Sequence, residues 1–327
     1  MGLSPIENLD RDVSRPSPGP DVPPIPLGYM QRREPRLRYV LLFLLTVVTT
    51  TFAGIAHFES FAVGFTSQRL DMTWTELTVR GLWYSVSILG ILGAHEFGHY
   101  FACRYYRVDA SLPYFIPAPL PLTGTLGAVI RIRQAIPGKR ALFDIGIAGP
   151  IAGFVVAVPV LMVGMYLSRV IQIPADFEGA ALELGEPLLF KMVTWLTFGS
   201  IPEGSTVNMH PMAFAAWFGL LATALNLFPI GQLDGGHICY AVLGRRSTIV
   251  TLLMVACLIG LTFISTSWLV WTVLTVVMLF VFGPRHPRVF DEDVPLDPAR
   301  RWLALFALVM FALCFTPAPI ELIDLVR

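Results

Sequence analysis

The chain carries little charge. Asp, Glu, Lys and Arg make up 14% of its 327 residues, and 23 basic side chains are matched by 23 acidic ones. Soluble domains contain roughly a quarter charged residues, so this composition excludes an ordinary soluble domain. The zero net charge also excludes nucleic acid as an expected partner, because such partners need a basic surface. With 55% hydrophobic residues, the composition is typical of a membrane protein.

The chain also has few cysteines, and its first residues do not resemble a signal peptide. The four cysteines lie in apolar stretches and form no C-x-x-C pair, which excludes a disulfide framework and a separate cysteine-based metal site. Residues 1–35 contain no apolar core of a signal peptide and are rich in proline. We expect them to form a disordered, extended tail in the cytosol.

Long apolar runs are frequent in the rest of the chain. A helix needs roughly 20 apolar residues to cross the hydrocarbon core. The sequence predicts such spans at 37–57, 80–103, 141–168, 213–240, 247–264, 268–283 and 301–317. The predicted fold class is therefore an all-α polytopic membrane protein with about six to seven transmembrane helices.

Residues 104–140 are apolar but contain five prolines, so they cannot form one continuous helix. We expect a re-entrant or interfacial segment packed against the bundle. Asp144, which follows this segment, lies one helical turn after Arg140, and the spacing predicts an interfacial ion pair between them.

The basic residues predict the orientation of the chain. With a cytoplasmic N-terminus, about 18 of the 23 Lys and Arg residues fall on the cytosolic side, as the positive-inside rule expects. The predicted location is a cell membrane, crossed several times. The predicted domain organisation is a tail (1–35) and a membrane domain (36–327), in which a catalytic core (80–240) precedes accessory C-terminal helices (247–317).

One motif inside the second predicted span carries chemistry. His95, Glu96 and His99 form H-E-x-x-H, in which the two imidazoles lie one helical turn apart and can bind one zinc ion while the glutamate acts as general base. Ionisable residues within a membrane are costly and therefore indicate a functional site. A catalytic zinc has three protein ligands and an open position, so a third ligand must come from another segment.

Asp234 lies in the most suggestive segment for the third ligand. It follows Pro229, which should break or kink the helix, and it precedes Gly235, so an irregular backbone can direct its carboxylate inward. Under the predicted orientation, this segment and H-E-x-x-H lie at the same depth, in the cytosolic half of the bilayer. Cys103 and His237 are the alternative third ligands.

Together the two motifs resemble those of the site-2 protease family of intramembrane zinc metalloproteases. That family pairs H-E-x-x-H with a later N-x-x-P-x-x-x-x-D-G, which is matched here from Asn226 to Gly235. The small residues of 146–153 also resemble a motif of the family's third span. The resemblance covers residues 80–240, and the chain looks like a compact bacterial-type member, since we expect no PDZ-like domain between the spans.

The resemblance implies specific roles for five residues. His95, His99 and Asp234 would bind Zn²⁺, Glu96 would be the general base, and Asn226 would help to hold the substrate backbone or the developing oxyanion. The implied activity is that of an intramembrane zinc metalloendopeptidase that hydrolyses peptide bonds within or near transmembrane segments, in regulated intramembrane proteolysis. The expected partners are a transmembrane protein substrate, the lipid bilayer, and a separate adaptor or upstream protease.

Two other functions compete with this hypothesis. The first is a catalytically inactive family member that acts as a membrane scaffold, against which the intact Glu96 argues because a scaffold does not need the base. The second is a metal transporter, although transporters usually contain internal repeats with paired broken helices, and none is visible in the sequence.

Overall fold

The computed structural model describes residues 35–66, 70–174, 180–283, 286–287, 289 and 291–324. These residues form the helices α1 (Arg36–Val63), α2 (Trp74–Tyr105), α3 (Lys139–Leu167), α4 (Leu188–Phe198), α5 (Pro211–Asn226), α6 (Asp234–Leu243), α7 (Ser247–Leu261), α8 (Trp268–Phe282) and α9 (Pro298–Cys314). They also form the strands β1 (Tyr114–Pro117), β2 (Thr125–Val129), β3 (Arg169–Gln172), β4 (Ala180–Leu184), β5 (Ser205–Asn208) and β6 (Ile320–Asp324).

The prediction of a mostly helical chain is confirmed, but the expectation of an all-α fold was wrong. The strands pair as three two-stranded antiparallel sheets, β1 with β2, β3 with β5 and β4 with β6. Each strand is only four or five residues long, which is too short for a clear period-2 pattern in the sequence. The predicted tail, residues 1–35, lies outside the described residues apart from Pro35.

Four helical segments of the described chain are long and apolar enough to cross a membrane. They are α1, α2, α3 and the run Asp234–Leu261, in which α6 continues through a 3₁₀ turn (Gly244–Arg246) into α7. The helices α5 and α8 are apolar but shorter. These segments agree with the predicted membrane protein.

The predicted continuous span 213–240 is divided into two helices. The helix α5 ends at Asn226 and α6 begins at Asp234, so the interruption expected at Pro229 is present. The two helices pack tightly across the turn, because a Cβ on Gly235 would lie 2.6 Å from the carbonyl oxygen of Phe228. The break therefore places Asp234 in the first turn of a new helix rather than in the middle of a span.

The long helix α2 carries H-E-x-x-H and has a well-defined start. Thr73 and Glu76 form a capping box, in which each side chain accepts a hydrogen bond from the backbone N–H of the other residue. Further along, α2 packs closely on α3, since a Cβ on Gly98 would lie 2.5 Å from the carbonyl oxygen of Ala148. Small residues thus allow the two backbones to approach each other.

The segment 104–140 is not one helix, as predicted, but its hairpin of β1 and β2 was missed. The hairpin is held on the bundle by its connecting turn, where the carbonyl oxygen of Leu122 lies 2.8 Å from His57 Nε2 and accepts a hydrogen bond of 3.1 Å from the Tyr84 hydroxyl. Gly124 in this turn has a φ of +67° and packs against the α1 backbone. The hairpin therefore has a fixed position beside α2.

The segment 169–212, which joins the predicted spans 141–168 and 213–240, contains regular structure. The strand β3 pairs with β5, and β4 pairs with β6 near the end of the described chain. Between β4 and β5 in the sequence lies α4, whose 11 residues are too few to be recognised as a transmembrane span. The strand β6 is therefore held against this segment by its pairing with β4.

Asp144 binds a different arginine from the one predicted. Its carboxylate accepts hydrogen bonds from Arg300 on α9, at 2.8 Å from Nε and 2.5 Å from Nη2, rather than pairing with Arg140. The i, i+4 rule correctly brings two positions of one helix together, but it cannot anticipate a better-oriented guanidinium from another helix.

Candidate metal centre

Three side chains from two helices converge on one point. His95 and His99 project from α2, and Asp234 begins α6. Asp234 Oδ2 lies 3.2 Å from Nε2 of each histidine, and the two Nε2 atoms lie 3.1 Å from each other. Both imidazoles are buried, and the Asp234 side chain is 16% exposed. The two sequence motifs thus meet at a single buried cluster.

The cluster has the dimensions of a zinc site. Zinc binds histidine nitrogen and carboxylate oxygen at about 2.0–2.2 Å, and neighbouring ligand atoms of a tetrahedron with such bonds lie about 3.3 Å apart. The observed separations of 3.1–3.2 Å are close to that edge length. Two nitrogens and one oxygen are also the ligand chemistry that zinc prefers, and they leave a fourth position open.

The orientation of His99 is fixed by the backbone of α3. Its Nδ1 lies 2.7 Å from the carbonyl oxygen of Ile145, which can only accept a hydrogen bond, so Nδ1 carries the proton. The lone pair of Nε2 is then directed at the cluster. Metal-binding histidines are commonly oriented by a carbonyl in this way.

Glycines of α3 make room for both imidazoles. A Cβ on Gly149 would lie 2.5 Å from Cδ2 and Cε1 of His99, and a Cβ on Gly153 would lie 3.3 Å from Nδ1 of His95. The small-residue motif 146–153 therefore borders the cluster directly. Its function in this chain includes space for the histidine rings as well as close helix packing.

The other two predicted site residues also lie at the cluster. Glu96 is buried on α2, and its carboxylate lies near the backbone of Ile130, just after β2. Asn226 ends α5, and its Nδ2 lies 3.2 Å from Nε2 of His95. The contact of Ile130 had no signal in the sequence, because it depends on a hairpin that the sequence did not predict.

The alternative third ligands lie elsewhere. Cys103 is fully buried in an apolar cluster with Val108 and Ile145. His237 is paired with His286, with 2.7 Å between His237 Nδ1 and His286 Nε2, and burial lowers the pKa of His286. Among the described residues, the group whose ligand atoms lie within 4.8 Å of one another consists of His95, His99 and Asp234.

Comparison with known protein families agrees with the resemblance that the two motifs indicated. The model of the family described as Peptidase family M50 matches residues 83–265, which is more than half of the chain and contains every residue of the cluster. The chain belongs to peptidase family M50. The resemblance to the site-2 protease family is thereby confirmed.

Several plant proteins are similar to this M50 chain. The probable zinc metalloprotease EGY1, chloroplastic, of Arabidopsis thaliana is 33% identical over 183 residues, which cover 53% of this chain and 32% of that protein. EGY2, chloroplastic, of the same plant is 30% identical over 227 residues (68% and 38%), and EGY3 is 26% identical over 292 residues (83% and 48%). The M50 chain thus matches about a third to a half of the length of these relatives.

Proposed function

We propose that this chain is an intramembrane zinc metalloendopeptidase. The observation that carries the proposal is the convergence of His95, His99 and Asp234 within 3.1–3.2 Å, with Glu96 on the same helix as the histidines. The zinc metalloprotease names of the relatives support it. His95, His99 and Asp234 are the proposed zinc ligands. When bound, zinc polarises a peptide carbonyl and makes the attacking water more acidic.

Glu96 and Asn226 are the proposed catalytic residues. Glu96 accepts the proton of the attacking water and returns it to the leaving nitrogen. Its carboxylate is buried on the same helix as the two histidines. Asn226 offers an amide N–H beside His95, where it can bind the substrate carbonyl as negative charge develops on the oxygen. Both groups are fixed before the substrate arrives, which reduces the cost of reorganisation.

The proposed substrates are transmembrane segments of other proteins, cut in regulated intramembrane proteolysis. A helical segment hides its carbonyl groups in hydrogen bonds, so it must unwind locally before attack. Selection then depends on the membrane region, on the loops, and on a separate adaptor or an upstream protease that trims the substrate first. No nucleic acid is expected to take part, in keeping with the zero net charge.

The proposed arrangement is a multi-pass protein of a cell membrane with about six to seven spans and a cytoplasmic N-terminus. The cluster would then lie in the cytosolic half of the bilayer, with 104–140 as a re-entrant or interfacial segment. The proposed domain organisation keeps the tail 1–35, the core 80–240 and the accessory helices 247–317. The bias of Lys and Arg supports this orientation.

Zinc content and cleavage test the proposal together. Purified wild type in detergent should contain one zinc per chain and should cut a synthetic transmembrane peptide, as followed by mass spectrometry. Asp234→Ala should lose both zinc and activity, whereas Glu96→Gln should keep zinc and lose activity. A folded wild type that binds no zinc after reloading would overturn the proposal, and a zinc-loaded wild type as inactive as Glu96→Gln would favour the scaffold.

A further inference from the structure

An apolar cavity lies beside the metal centre. It is bordered by the end of α5, the turn between α5 and α6, and the hairpin of α7 and α8, and it has a volume of about 210 Å³. Its walls include Phe228, Leu258, Trp271 and Met278. No residue that lines it is charged, so it cannot favour a charged or strongly polar occupant.

Asn226 joins this cavity to the metal centre. Asn226 is one of the residues that line the cavity, and its Nδ2 lies 3.2 Å from Nε2 of His95. Whatever enters the cavity is therefore one side chain away from a proposed zinc ligand. If the carbonyl group of a bound peptide lies near Asn226, the side chain of an adjacent residue of that peptide can reach into the cavity.

The size of the cavity fits one apolar side chain. A cavity of about 150 Å³ lined by aliphatic and aromatic residues binds benzene, so 210 Å³ accommodates the side chain of Leu, Met or Phe. An alanine would leave most of this space empty and would lose the free energy of about 25 cal/mol for each Å² of apolar surface that is not buried.

The wall formed by α8 also touches the backbone that positions Asp234. A Cβ on Gly231 in the preceding turn would lie 3.3 Å from Cε of Met278 and 3.5 Å from Cδ2 of Leu279. The turn is further tied to α7 by a hydrogen bond of 3.0 Å from Thr251 Oγ1 to the carbonyl oxygen of Pro229. The cavity is therefore a preformed part of the site, with walls that are held together before a ligand enters.

We propose that this cavity is a subsite for an apolar side chain of the substrate, next to the bond that is cut. The proposal rests on the proposed protease function. It assigns the α7–α8 hairpin, which lies outside the two motifs, a part in specificity. Cleavage should then favour Leu, Met or Phe over Ala or Gly beside the cut, with a preference of about tenfold or more.

Filling the cavity tests the assignment. Thr275 is half-buried in its wall, so Thr275→Phe would occupy the space, whereas the next residue, Val276, is 45% exposed on the outer side of α8 and provides Val276→Phe as a matched control. The probes are synthetic transmembrane peptides that differ only in one central residue (Ala, Leu or Phe), with the cut mapped by mass spectrometry. We expect Thr275→Phe to keep its zinc and to lose the preference for Leu and Phe, and Val276→Phe to retain it. An unchanged preference in Thr275→Phe would overturn the proposal, and would indicate that lipid acyl chains or nothing fill the cavity.

A second measurement separates failure of the subsite from failure of the proposed function. The probe is the same peptide with a diazirine analogue of leucine at the central position, photo-crosslinked to the Glu96→Gln variant. Labelling of α8 between Trp271 and Met278 that is lost on adding Thr275→Phe, and kept on adding Val276→Phe, would support the subsite even if wild type cut no peptide. Absence of label there would overturn the subsite even if wild type were an active protease.

Discussion

Arg300 on α9 binds Asp144 on α3 through two parallel hydrogen bonds, from Nε to Oδ1 (2.8 Å) and from Nη2 to Oδ2 (2.5 Å). The Tyr106 hydroxyl, just past the end of α2, donates to the same carboxylate. Burial and this hydrogen bond to Asp144 raise the pKa of Tyr106, so the hydroxyl stays protonated as a donor. One carboxylate thus fastens α9 to the two helices that border the metal centre.

Removing the guanidinium should therefore destabilise the fold. We expect Arg300→Gln to lower the free energy of unfolding by about 1–3 kcal/mol, because it leaves the Asp144 carboxylate without its charged partner. Arg245→Gln is the matched control, since Arg245 is 70% exposed and its pair with Glu292 should contribute less than about 1 kcal/mol. Denaturant unfolding in detergent measures both, and equal effects would contradict the special role of Asp144.

The space at Gly149 should be essential for zinc binding. Gly149→Ala places a methyl group where the His99 ring lies, so the ring must move and the proposed ligand set is lost. We expect the variant to remain folded but to bind zinc at least tenfold more weakly. Gly90→Ala on α2 is the control, because a Cβ there meets no atom within 4 Å. Wild-type zinc affinity in Gly149→Ala would show that His99 is not a ligand in the position described.

Asn226 should affect turnover and not the metal. We expect Asn226→Ala to retain zinc while kcat falls by about 10²- to 10³-fold, the usual effect of removing one donor to a developing oxyanion. Gln232→Ala, an exposed residue of the same motif, should change neither quantity. Loss of zinc in Asn226→Ala would instead assign the residue to positioning His95.

Zinc should stabilise the folded protein, because the three ligands come together only in the native state. At a free zinc concentration of 100 times its Kd, we expect an increase of about 2.7 kcal/mol in the free energy of unfolding. Thermal unfolding with EDTA and with added zinc measures this shift. Asp234→Ala should show little or none of it, and a full shift in that variant would remove Asp234 from the ligand set.

Helix-weakening residues in the substrate should promote cleavage. With Leu kept beside the cut in both peptides, a peptide with a Gly or Pro one helical turn away from the cut unwinds at lower cost than one with Leu at that second position, since Gly and Pro disfavour a helix interior by about 1 and 3 kcal/mol. We expect faster cleavage of the weakened peptide at equal binding. Equal cleavage rates for the two peptides would contradict the hypothesis that local unwinding of the substrate helix limits the reaction.

Much of the site could be predicted from the sequence because its motifs are local. The spacing of His95 and His99 makes them neighbours on any helix, and Pro229 interrupts any helix that contains it. The length of the apolar runs likewise predicted most of the long helices. The short strands and α4 were missed because segments of 4–11 residues carry too little periodic signal to stand out from an apolar background.

The sequence by itself determined the kinds of atoms available for chemistry: two imidazoles and a general base on one helix, and a carboxylate beside a helix break. Only the tertiary structure decided between Asp234, Cys103 and His237 as the third group beside the imidazoles, which arginine binds Asp144, and where an apolar cavity opens beside Asn226. These contacts join residues 131 to 156 positions apart, such as His95 with Asn226 and Asp144 with Arg300. A local sequence pattern gives information only about residues that are neighbours along one helix or strand. The approach of distant segments depends on packing, here on glycines that let α2, α3 and α6 come close together.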